Sequence, residues 1–114
     1  DEGTESFVAR SQLVLAARAA GVQPSDTVYS NVANADGLLS STREAIMLGF
    51  DGKGCIHPRQ VPEVLRGFAP TDHEIDWARR VLASGEGAVA LDGAMIDDPV
   101  RLRARHILAT ARPA

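Results

Sequence analysis

Cysteine is all but missing from this chain. Cys55 stands alone among 114 residues, so no internal disulfide can form and a reducing, cytoplasmic setting fits best. Aromatic side chains are also scarce, at three Phe, one Tyr and one Trp, so a core must be assembled mainly from Ala, Val, Leu and Ile. Small aliphatic residues of this kind suit helices packed closely on a parallel sheet. There is no excess of positive charge. Fifteen acidic against twelve basic side chains leave a formal charge of −3, which provides no field for a phosphate backbone, and no nucleic-acid partner is expected. No apolar run approaches the roughly 20 residues that cross a bilayer, so no membrane partner is expected. Residues 1–6 are acidic and polar, unlike a secretory leader. Gly52-Lys53-Gly54 lacks the spacing and the hydroxyl of a phosphate-binding loop. His57, His73 and His106 fall in separate stretches without ligand spacing, which argues against zinc.

What is present reads as alternating helices and strands. Phe7–Ala20 is rich in Leu and Ala and stops at Gly21, which predicts a helix. Pro24-Ser25-Asp26 predicts a turn into a strand at Thr27-Val28-Tyr29. A polar loop is expected over residues 31–37, then a helix from about Ser40 to Leu48, ended by Gly49. The glycine-framed stretch over residues 50–56 predicts a second strand. Helix, strand, helix, strand with short links indicates a parallel sheet wrapped by helices.

Beyond residue 70 the character changes. Thr71-Asp72-His73-Glu74 matches a capping box ahead of Ile75, Ala78, Val81 and Leu82, and Gly85 and Gly87 end that helix. A short extended excursion is expected around Asp92-Gly93. Asp98 before Pro99 reads as the capping start of a last helix that runs to about Ala111. Two strands cannot make a stable parallel sheet by themselves. The expectation is therefore the tail of a longer protein rather than a chain that borrows strands from a partner.

Two places could carry chemistry. His57-Pro58 closes the second strand, and ligands in α/β folds gather at the carboxyl ends of strands, although a lone histidine is more often structural. Asp97 follows the apolar pair Met95-Ile96 at a junction between elements. With Asp98 taken as the cap, Asp97 is either a second partner of the helix dipole or a general acid/base in an apolar setting.

Six segments occur in an order that resembles one family. They are Ala16-Ala17-Arg18-Ala19-Ala20-Gly21, Asp26-Thr27-Val28-Tyr29, Gly49-Phe50-Asp51-Gly52-Lys53, Ile56-His57-Pro58-Arg59-Gln60-Val61, Phe68-Ala69-Pro70-Thr71, and Asp92-Gly93-Ala94-Met95-Ile96-Asp97. Together, from about residue 9 to residue 111, they are similar to the C-terminal portion of the citrate lyase beta-subunit, malyl-CoA and citramalyl-CoA lyase family. The resemblance implies an α/β chain forming the C-terminal part of a (β/α)8 TIM barrel plus a C-terminal helical extension. Residues 1–70 would hold the last strands and helices, and residues 71–114 the extension with its Met-Ile-Asp loop.

The activity implied is that of a Mg2+-dependent carbon–carbon lyase. It would cleave a 3-hydroxyacyl-CoA-type thioester (citryl-, malyl- or citramalyl-CoA) to acetyl-CoA and a 2-keto acid. Asp97 matches the family's catalytic carboxylate, while Gly52, Lys53, His57 and Pro58 would lie near the CoA thioester arm in supporting roles. The Mg2+ ligands and the keto-acid arginine would lie upstream of residue 1, so no metal ligand is expected in this chain, and the fragment alone would be inactive. The family implies a homo-oligomer, a trimer or hexamer, in which the Asp97 loop reaches a neighbouring subunit. Asn31 and Asn34 stand where the family usually carries acidic residues, with Asp36 nearby, which lowers the negative charge at the barrel mouth. Two other readings are a non-catalytic half-barrel subunit or interaction module, and an aldolase of the same superfamily acting on free keto acids.

Overall fold

Leucine and alanine favour helix because they lose little rotamer freedom in it, and the computed structural model, which describes residues 4–111, opens accordingly. A single 3-10 turn at Thr4–Ser6 leads into α1 (Phe7–Ala20). Gly21 closes α1 in the left-handed region at φ 72°, and its amide reaches the carbonyls of Ala17 and Arg18. A side chain there would be strained, so glycine suits this cap. Arg10, Val14 and Ala17 follow i, i+4, i+7 spacing, and Val14 and Ala17 are buried.

The next helix starts earlier than its composition suggested. α2 (Ala35–Leu48) begins at Ala35 rather than near Ser40, because the polar stretch before it is a cap and not a loop. The Asn34 side chain accepts from the Gly37 amide at 2.9 Å, and Asp36 in the first turn complements the helix dipole.

The strands are shorter than expected and one is displaced. β1 is Ser25–Asp26 and β2 is Gly52–Lys53, paired in parallel with Ser25 opposite Gly52 and Asp26 opposite Lys53. Thr27-Val28-Tyr29 lies beyond the ladder because side chains take over its carbonyls. Lys53 Nζ donates to the Thr27 carbonyl at 2.8 Å, and Gln60 Nε2 to the Tyr29 carbonyl at 2.8 Å. A helix that periodicity did not reveal, α3 (Gln60–Phe68), follows and packs on α2. The two approach closely at Gly67, where an added Cβ would come within 2.6 Å of Thr42 Cγ2. Val14, Ala45 and Phe50 form the buried cluster of this part.

The remaining residues build a helix–hairpin–helix. α4 (Asp72–Ala83) carries the expected capping box: Glu74 accepts from the Thr71 amide at 2.8 Å, and the Glu74 amide donates to Thr71 Oγ1 at 3.2 Å. β3 (Val89–Leu91) and β4 (Ala94–Ile96) pair antiparallel across Asp92-Gly93. Both turn residues have positive φ, 49° and 78°, the geometry whose twist matches a two-residue hairpin. α5 (Asp98–Thr110) follows. Ala78, Val81, Ile96, Ala104 and Ile107 form the core of this part, with Trp77 packed against it.

The start of α5 corrects one assignment. Asp97, not Asp98, is the N-cap: its Oδ1 accepts from the Val100 amide at 3.2 Å, and Asp98 and Pro99 are already helical. A carboxylate reaches the amide three residues on, so the helix that admits Pro99 early is capped one residue further back than the Asp-Pro pair suggests.

The chain divides into two compact units, Asp1–Phe68 and Ala69–Ala114. Residues 1–3 and 112–114, the ends of the two stretches expected from the sequence, lie outside the described residues. Among the described residues no helix is long and apolar enough to cross a membrane.

Candidate functional site

The polar groups of the first unit gather at the carboxyl ends of β1 and β2. Asp26 ends β1, buried at 4% exposure, and its two oxygens meet both ends of a bidentate arginine contact. Arg10 Nε donates to Oδ1 at 3.0 Å and Nη2 to Oδ2 at 2.8 Å. Lys53, opposite Asp26 in the ladder, donates to Oδ2 at 3.2 Å. Arg10 Nη1 also lies 3.4 Å from Glu44 on α2. Lys53, Asp26, Arg10 and Glu44 thus form a chain of two positive and two negative charges. Such balance is what buried ionised groups require.

The electrostatics of Asp26 set two effects against each other. Burial alone would raise its carboxyl, but hydrogen bonds from Arg10, Lys53 and the Thr27 amide hold it below the usual carboxylate range. Burial of Arg10 opposes its charge, yet Asp26 and Glu44 keep its guanidinium above its ordinary value. Asp26 is therefore a fixed anion, and the Lys53 ammonium is engaged with it and with the Thr27 carbonyl. This arrangement orients and polarises; it does not supply a free base.

The chain of charges forms one wall of a cleft of about 710 Å³, whose other lining includes Tyr29, Ser40 and Ser41. Tyr29 is fixed by Asn34, whose Nδ2 donates to its hydroxyl at 3.1 Å. Gln60, 2% exposed, ties the loop after β1 to the loop after β2. It accepts from the Ile56 amide at 2.9 Å and donates to the Tyr29 carbonyl.

Of the residues singled out from the sequence, Gly52 and Lys53 make β2, and Lys53 lines the cleft. His57 and Pro58 are exposed in the turn before α3, and His57 Nδ1 accepts from the Arg59 amide at 3.1 Å. Asp97 belongs to the second unit, part-buried at the hairpin–helix junction. Arg10 and Asp26 were not singled out. Arg10 alone carried a signal, a charged residue on the buried stripe of α1 at i, i+4, i+7 with Val14 and Ala17.

The donor set does not fit a resident metal. Among the described residues no group of three or more His, Cys, Asp or Glu side chains could hold one. Both Asp26 oxygens are already taken by Arg10 and Lys53.

Parallel strands joined through a helix, polar groups at the strand carboxyl ends and a separate helical unit fit the C-terminal part of a (β/α)8 barrel with its extension. The pattern of the HpcH/HpaI aldolase/citrate lyase family matches residues 1–58, and the chain belongs to that family. It is 45% identical over 117 residues to the citrate lyase subunit beta of Escherichia coli K12, covering 96% of this chain and 39% of that protein. Identity to the mitochondrial citramalyl-CoA lyase of Rattus norvegicus is 40% over 110 residues, covering 90% of this chain and 32% of that protein. A similar solved structure is protein CitE from Mycobacterium tuberculosis in complex with magnesium, acetoacetate and coenzyme A. It superposes with a TM-score of 0.86 at 39% identity, over 93% of this chain and 41% of that one. The chain thus spans about a third to two fifths of the length of these relatives.

Proposed function

We propose that this chain is the C-terminal part of a carbon–carbon lyase acting on a 3-hydroxyacyl-CoA thioester. The observation that carries the reading is the 45% identity to a citrate lyase beta subunit across nearly the whole chain. In the cleavage direction the 3-hydroxyl gives its proton to a base outside this chain and the bond between C2 and C3 breaks. The keto acid departs, and the electron pair left on C2 takes up a proton to give the acetyl thioester. Asp97 is the proposed donor of that proton. Its Oδ1 is committed to the helix cap, which orients the carboxyl group and leaves Oδ2 outside the cap.

Lys53 with Asp26 and Arg10 holds the strand ends that border the substrate. Gly52, His57 and Pro58 are proposed to flank the thioester arm. The Mg2+ of this chemistry is proposed to be held by residues outside this chain, in a cytoplasmic homo-oligomer, a trimer or hexamer, whose Asp97 loop serves a neighbouring subunit.

Asp97→Asn is the decisive variant because asparagine caps a helix as well as aspartate does. In the full-length protein it should keep its stability yet lose at least about 100-fold in turnover, the scale of a positioned acid/base. The assay is acetyl-CoA release from citryl-, malyl- and citramalyl-CoA; near-normal turnover would remove Asp97 from the mechanism. The family also spans aldolases, which favours one second reading, an aldolase for free keto acids. Failure of the full-length protein to bind CoA in calorimetry would select it.

A further inference from the structure

Arg101 is the charge that the fold explains least. It lies in α5 at 4% exposure, and its Nε and Nη1 are buried without a hydrogen-bond partner among the described residues. Nη1 does come within 3.5 Å of Asp98 Oδ1, an ion-pair contact too long to serve as a hydrogen bond. A guanidinium buried with unmet donors is less stabilising than an apolar side chain of similar volume. Stability therefore does not account for arginine here.

Its remaining bond indicates what it does. Nη2 donates to the Gly87 carbonyl at 2.5 Å. In the hairpin Val89 pairs with Ile96, so Gly87 and Asp97 lie just outside the last pair, at the open end. The Arg101 backbone amide meanwhile donates to the Asp97 carbonyl at 3.0 Å. One residue thus holds Asp97 through its main chain and closes the hairpin base beside Asp97 through its side chain. The hairpin tip has its own tie, an ion pair between Arg80 and Asp92, but both partners are largely exposed.

We propose that Arg101 is a positioning residue for Asp97, which it keeps in register with the hairpin by bridging Gly87 to α5. This rests on Asp97 being the proton donor. A displacement of about 1 Å at a reacting group can cost ~100-fold in rate. In the full-length protein, assayed on whichever thioester of the citryl-, malyl- and citramalyl-CoA panel it turns over, Arg101→Met should lower kcat at least ~10-fold with KM within about 2-fold. Arg101→Lys, which restores a cation and donors, should recover most of that loss. Arg80→Met, which cuts only the exposed tie, should leave kcat within about 2-fold.

If Arg101→Met does not fold, Gly87→Ala tests the same bridge from the acceptor side. Gly87 sits at φ 78° with open space around it, so alanine strains the backbone without a clash. A fall in its kcat at constant KM supports the bridge. Wild-type kcat in Arg101→Met, or in Gly87→Ala where that variant decides, overturns the proposal. Asp97→Asn run in parallel separates the two ideas. If it is inactive beside a fully active Arg101→Met, only the positioning role fails; if it is itself fully active, the proton-donor reading fails and the positioning role with it.

Discussion

Asp26 is the residue on which the first unit's charges depend, since Arg10 and Lys53 both bind it and both would be left partly buried without it. Asp26→Asn should destabilise the protein by about 3–5 kcal/mol, the usual cost of breaking a buried ion pair from one side. Denaturant titration of the two proteins measures this. The pH dependence follows from the lowered carboxyl. Because its folded value lies below the unfolded value near 3.9, the stabilisation is complete above about pH 4 and disappears as pH falls through the folded value. The wild-type stability curve should therefore drop on that acid limb, and the difference between wild type and variant should shrink there. A constant difference down to the acid transition would show that Asp26 is not held as an anion.

Among the elements, those written in local chemistry were legible. The α4 capping box needs only Thr71 and Glu74 at the right spacing, and the hairpin turn only Asp92-Gly93. The start of α5 was off by one residue because Asp97 and Asp98 are both good caps and only the amide geometry separates them. The first strand was misplaced for a different reason. A two-residue ladder is defined by its partner, and the β-branched Thr27-Val28 attracted the assignment although its neighbours are side chains, not a strand. The Arg10–Asp26 pair joins residues sixteen apart, beyond the reach of any periodic pattern. Two substitutions test the element contacts. Gly67→Ala should cost about 1–3 kcal/mol by forcing α3 away from Thr42. Thr71→Ala should cost about 1 kcal/mol through the lost cap. Thermal unfolding reads both, and an unchanged midpoint in Gly67→Ala would mean that the α2–α3 contact is looser than drawn.

For the molecule as a whole, the proposed reaction places the metal elsewhere than in this chain. EDTA should abolish turnover by the full-length protein and Mg2+ should restore it, while titration of Mg2+ into this chain alone should give no binding heat. Measurable binding to the chain alone would call for carboxylates that do not cluster among the described residues. Finally, the scarcity of aromatics acquires an experimental use. The one tyrosine, Tyr29, stands in the wall of the ion-pair cleft, and the one tryptophan, Trp77, packs on the core beneath the Asp97 hairpin, with the Arg103 guanidinium 5.0 Å from its ring. Each unit thus carries its own optical label. Trp77 emission follows the unit that holds Asp97, Tyr29 absorbance follows the unit that holds Asp26, and their melting curves can be recorded from one unlabelled sample.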